Sequence, residues 1–106
     1  MNHTAYSRIT RTLVILRDTY ADMPAPTMLV LLEVAQSGQN GLNVTQVMKR
    51  LGLSQSSASR HCRMLSQGGP NLCDLSLDPN DPRSRLLRLN DNGRALVARL
   101  EQSLTG

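Results

Sequence analysis

Along the first twenty residues the apolar positions Tyr6, Ile9, Leu13, Leu16 and Tyr20 recur at steps of three, four, three and four. That spacing lays side chains along one helical face and predicts a helix from Thr4 to Tyr20, within an N-terminal segment spanning 4–22. Pro24 and Pro26 end it and start another, because proline fits the first turn of a helix but not its interior. Met28, Leu31, Leu32 and Ala35 mark this second helix as central, and Ser37-Gly38-Gln39-Asn40-Gly41 closes it with residues that tolerate left-handed backbone.

Asn43 stands three residues before Gln46, where a cap side chain and the third helical residue satisfy each other's free backbone groups. The third helix begins there, turns Val47 and Leu51 inward and stops at Gly52. Ser54 caps a fourth helix that runs to Gln67, before Gly68-Gly69-Pro70. Two short helices joined by a tight turn containing glycine are a helix-turn-helix unit. Beyond Pro70 the period becomes two: Cys73, Leu75 and Leu77 alternate with polar neighbours, and Leu87 and Leu89 follow. The polar stretch Asp78-Pro79-Asn80-Asp81-Pro82-Arg83-Ser84 then reads as a protruding loop joining two strands. Asn90 caps a last helix from Asp91 to Leu104.

Composition narrows the function. With 106 residues the chain forms one domain, 1–106, and its only aromatics are Tyr6 and Tyr20. Stacking platforms for single-stranded nucleic acid are therefore missing, whereas a duplex needs none. There is no run of 18 apolar residues, and the opening 1–12 lacks the order of a signal peptide, so the expected address is cytoplasmic, away from membranes. Cys62 and Cys73 are too few for a disulfide framework, and no zinc spacing is present. No metal or cofactor is expected.

The net charge of +4 is unevenly spread. Residues 1–33 balance Arg8, Arg11 and Arg17 against Asp18, Asp22 and Glu33, and residues 74–106 balance five arginines against five acids. The excess lies in 34–73, where Lys49, Arg50, Arg60 and Arg63 face no acidic residue. This is a candidate footprint for phosphate; chance in a small protein is the plainer explanation. On the fourth helix Ala58, Cys62 and Leu65 share one face, while Ser56, Arg60 and Arg63 lie opposite, with Ser59 flanking and Gln55 at the exposed start. Arginine suits guanine, glutamine suits adenine and serine serves phosphate or base. An ordinary solvated face carries the same residue types.

The run from Leu42 to His61 resembles the helix-turn-helix of bacterial regulators. Asp81-Pro82-Arg83 followed by Leu87-Arg88-Leu89-Asn90-Asp91-Asn92-Gly93-Arg94-Ala95-Leu96 is similar to the wing and capped helix of the MarR family, the multiple antibiotic resistance regulators. The resemblance covers 25–104. It implies a mainly α winged helix fold with a small β-hairpin wing, with helix-turn-helix and wing over 25–90 and a C-terminal helix over 91–104. It further implies a recognition helix over 54–67, a wing whose Arg83 or Arg85 reaches the minor groove, and dimerisation through the terminal helices. A narrow minor groove attracts arginine through its enhanced negative potential.

The candidate DNA-contacting residues are Asn43, Thr45, Gln55, Ser56, Ser57, Ser59, Arg60, Arg63, Arg83 and Arg85. The candidate homodimer seam is Tyr6, Ile9, Leu13, Leu16 and Tyr20 with Leu96 and Leu100, burial inside one subunit being the alternative. A family member usually has a longer first helix and a further C-terminal helix, so a small-molecule effector is left open, and Gly68-Gly69-Pro70 predicts a loose approach to the wing. The expected function is a sequence-specific, double-stranded DNA-binding transcriptional regulator, a repressor by occlusion. The alternative is a winged helix that contacts polymerase, a nucleoid protein or another regulator, kept open by Asp74, Asp78 and Asp81. An enzyme is disfavoured, because no paired carboxylates, phosphate loop or nucleophile constellation occurs. Cys62 reads as a small buried hydrophobe rather than a redox sensor, His61 as a partly exposed helix residue and His3 as a terminal one.

Overall fold

The apolar stripe of the first twenty residues folds into α1 (His3–Thr19) in a computed structural model that describes residues 3–67 and 69–105. After Pro24, α2 (Ala25–Gln36) opens with Pro26 in its first turn. Its buried face is Thr27, Val30, Leu31 and Val34, a cleaner i, i+3, i+4, i+7 set than the one expected from sequence. Leu32 turns out to solvent and Met28 and Ala35 are only half-buried. The helix is apolar almost all round, so periodicity could not choose which side faces the core.

A 3-10 turn (Gly38–Asn40) leads to a two-residue strand, β1 (Leu42–Asn43), which the sequence pattern did not reveal. The capping box then starts α3 (Val44–Leu51): Asn43 Oδ1 accepts from the Gln46 backbone N–H at 2.7 Å, and Gln46 Oε1 accepts from the Asn43 N–H at 2.9 Å. Gly52 ends α3 with a φ of 65°, a left-handed backbone that other residues adopt at a cost. Ser54 Oγ accepts from Ser57 N–H at 3.2 Å and opens α4 (Gln55–Ser66), with Gln67 as its C-cap.

The wing is built from β2 (Cys73–Asp78) and β3 (Asp81–Leu89). The expected loop from Asp78 to Ser84 is thereby corrected to a tight turn at Pro79 and Asn80, since β3 already begins at Asp81. Past the body no core alternately buries the side chains, so the strand leaves no period-two signal. Register runs from Cys73 opposite Leu89 to Leu77 opposite Arg85, with a bulge between Leu77 and Asp78. β1 pairs with the other edge of β3, giving an antiparallel sheet of order β1-β3-β2.

Asn90 Oδ1 accepts from Gly93 N–H at 2.9 Å and caps α5 (Asp91–Thr105). Gly93 lets this turn press on the Leu72 carbonyl, where a Cβ would overlap the oxygen. The approach to the wing is firmer than expected from its glycines, because Leu72 N–H donates to Leu65 O at 2.8 Å and Leu72 O accepts from Asn90 N–H at 3.0 Å. Gly68 lies outside the described residues.

One core of Val30, Leu31, Val34, Leu42, Val47, Ala58, Cys62, Leu65, Cys73 and Leu87 joins α2, α3, α4 and the sheet. It continues between α1 and α5, where Leu16, Leu96 and Leu100 are buried and Thr12 Oγ1 meets Ser103 Oγ at 2.5 Å. Three members of the expected dimer seam, Leu16, Leu96 and Leu100, are therefore internal to one chain, and Tyr20 packs partly against the same core. Tyr6, Ile9 and Leu13 are about half exposed, at 54%, 50% and 51%. Among the described residues no helix is long and apolar enough to cross a membrane.

Candidate nucleic-acid interface

Helix α4 divides sharply between its two faces. Ala58, His61, Cys62 and Leu65 are buried, whereas Gln55, Ser56, Arg60 and Arg63 are exposed and Ser57 and Ser59 are half-buried. Arg60 and Arg63 form no ion pair among the described residues. Of the four excess cations, Arg50 is partly neutralised by Glu33 on α2, 3.4 Å away.

The wing stands beside this helix. A cleft lined by Val44, Thr45 and Met48 of α3, Gln55 and Ser59 of α4, and Asp81, Arg83, Ser84 and Arg85 of β3 opens between them. A second cleft, lined by Ser59, Cys62, Arg63, Gln67, Leu75 and Arg85, adjoins it through the shared Val44, Ser59 and Arg85. The fold thus gathers Thr45, Gln55, Ser59, Arg63, Arg83 and Arg85 onto one continuous concave surface, with Ser56 and Arg60 exposed on the same helix.

Two expected contacts are used internally. Asn43 spends its oxygen on the α3 cap and donates Nδ2 to Asp78 Oδ2 at 2.9 Å, so its amide ties the wing to the helix-turn-helix. Ser57 is half-buried and contributes its N–H to the Ser54 cap. A residue absent from the expected set is Ser84, whose buried hydroxyl has no hydrogen-bond partner among the described residues and which lines the first cleft. No sequence signal marked it, because it lay in a stretch read as loop.

The acids of the wing are mostly engaged. Asp78 is buried; the Asn43 side chain foremost, then the Asn80 N–H at 2.9 Å, hold its carboxyl below the usual range, and Arg88 adds to this. Asp81 accepts from the Arg83 N–H at 3.1 Å. Asp74 is exposed and sits opposite Arg88 in register.

Behind the outer face, His61 is 4% exposed rather than partly open as expected, and its Nδ1 shares a hydrogen bond of 2.7 Å with Thr27 Oγ1 on α2. Burial first, and then the neighbouring Arg60 charge, lower its pKa. Burial pushes the Cys62 thiol up to about 11. Cys73 rises to about 12, chiefly by burial and further by Cys62 and Asp74. Neither cysteine has the lowered pKa and positive surroundings that a reactive thiol needs.

A capped helix-turn-helix followed by a hairpin wing defines a winged helix-turn-helix protein, the class of many DNA-binding regulators. Residues 28–69 match the family model described as the IclR helix-turn-helix domain, which covers α2 to α4 and under half of the chain. No curated protein matches in sequence. Solved structures are similar over nearly the whole chain. MepR of S. aureus in complex with DNA is 20% identical with a TM-score of 0.76, the match covering 90% of this chain and 74% of MepR. PcaV, a transcriptional regulator of Streptomyces coelicolor, is 27% identical with a TM-score of 0.64, over 95% of this chain and 72% of PcaV. Apo MarR of E. coli is 19% identical with a TM-score of 0.64, over 94% and 73%. The chain therefore shares the winged helix-turn-helix fold of these solved structures, with an IclR-type helix-turn-helix over residues 28–69.

Proposed function

We propose that the chain is a transcriptional regulator that reads double-stranded DNA with α4 in the major groove and Arg83 or Arg85 of the wing in the minor groove. The observation that carries this reading is the outer face of α4. Arg60 and Arg63 stand exposed and free of ion pairs among the described residues, beside a cleft shared with the wing arginines. Gln55, Ser56 and Ser59 supply shorter side chains that permit close approach to base edges. Thr45, at the exposed start of α3, supplies a hydroxyl for phosphate.

The regulator acts as a homodimer. Tyr6, Ile9 and Leu13 stay exposed along α1, and Leu104 is 43% exposed on α5; these apolar side chains are the ones a twofold partner would cover. Bound as a dimer across a promoter, it would repress by occlusion, as a cytoplasmic protein whose role is binding rather than catalysis. Selection from a randomised duplex pool tests the reading. A recurrent inverted repeat with half-sites about 34 Å apart is expected; a pool that enriches no sequence overturns it.

A further inference from the structure

Leu77 on β2 is 65% exposed, the highest value among the large hydrophobic side chains described. A lone exposed leucine is ordinary on a protein surface, so its placement has to carry the argument. Leu77 lies opposite Arg85 in register, and Leu75, two residues earlier on the same sheet face, lies opposite the buried Leu87. That face begins in the core, passes Leu75 and Arg85 in the cleft beside α4, and ends at Leu77 in solvent.

The position is also fixed rather than floppy. The next residue, Asp78, is buried and holds Asn43 Nδ2 at 2.9 Å and the Asn80 N–H at 2.9 Å, which anchors the strand to the cap of α3. The bulge between Leu77 and Asp78 falls at this point, and bulges re-aim the side chains next to them. An apolar side chain on an anchored strand is thus held out beside Arg85, which forms no ion pair among the described residues, on the face that continues the recognition surface.

Resting on the DNA reading above, we propose that Leu77 is an apolar wedge that enters the minor groove beside Arg85. There it packs on deoxyribose and the edge of a base step and bends the duplex. Charge complementarity selects this occupant: Arg83 and Arg85 match the negative potential of the groove and its phosphates, while the sugars and base faces offer the apolar contact. Leucine is among the side chains that minor-groove proteins insert between base steps.

The test uses the duplex enriched from the randomised pool, carrying a fluorophore at each end, with the full chain and its Leu77→Ala, Leu77→Met and Arg85→Ala variants. Affinity across salt and end-to-end distance are read together. Leu77→Ala should bind about tenfold more weakly with an unchanged salt slope and a straighter duplex, and Leu77→Met should recover most of both. Arg85→Ala should instead lower the salt slope by about one. Because Leu77 is exposed, the thermal midpoints of its variants should match the parent. Equal affinity and bend for Leu77→Ala would overturn the wedge while leaving the DNA reading intact. A smaller oligomer for Leu77→Ala in light scattering would assign Leu77 to self-association and overturn it as well. If the parent chain binds no duplex, both readings fall.

Discussion

Arg60 and His61 are adjacent in sequence and face opposite environments, one open to solvent and the other sealed against α2. Replacing Arg60 by alanine should therefore leave folding intact. If it reads a base, the change costs about 1 to 3 kcal/mol at one operator position and relaxes specificity there; an equal loss on every sequence would make it a phosphate contact. Thr27→Val leaves His61 Nδ1 buried without its partner, which should lower stability by about 1 to 3 kcal/mol in chemical denaturation. Both His61 and Asp78 have folded pKa values below their ordinary ones. The stability each contributes is present above its unfolded value, near 6.5 for histidine and 3.9 for aspartate, and is lost as pH falls through the lower folded value. Thermal midpoints should accordingly fall in two stages on acidification. His61→Gln should flatten the upper stage and Asp78→Asn the lower, and an unchanged pH profile in either variant would contradict the corresponding assignment.

Helix boundaries were legible because caps and breakers are local chemistry. Pro24, the Asn43–Gln46 box, Gly52, Ser54 and Asn90 all stand at the element ends that their side chains or backbones favour. The outer face of α4 was legible too, since its successive turns all separate apolar from polar residues. What escaped depends on contacts distant in sequence. β1 pairs with β3, His61 is buried against Thr27 of α2, and the one part of Asn43 left over from its local cap, Nδ2, is taken by Asp78 of the wing. The junction between α4, the wing and α5 offers a sharp check at this scale. Gly93→Ala should destabilise by about 1 to 3 kcal/mol, because the added methyl overlaps the Leu72 carbonyl and the crowded turn must shift. A variant as stable as the parent would show that the junction yields freely.

The chain measures 46 × 26 × 22 Å, and its core continues beyond the helix-turn-helix between α1 and α5. Leu16, Leu96 and Leu100 stabilise one subunit, which leaves Tyr6, Ile9 and Leu13 for a partner. Replacing Ile9 and Leu13 together by serine should yield a folded monomer in light scattering and weaken binding to an inverted repeat far more than to a single half-site; a dimer unchanged in mass would place the seam elsewhere. The claim beneath all of this is that the exposed cationic face of α4 meets a duplex. The most direct measurement is the salt dependence of duplex affinity for the parent chain and for the variant with Arg60 and Arg63 both changed to alanine. Affinity should fall steeply with salt in the parent, and the variant should bind at least tenfold more weakly with a shallower slope or relaxed specificity. Equal affinity, slope and specificity for the two proteins would contradict the account.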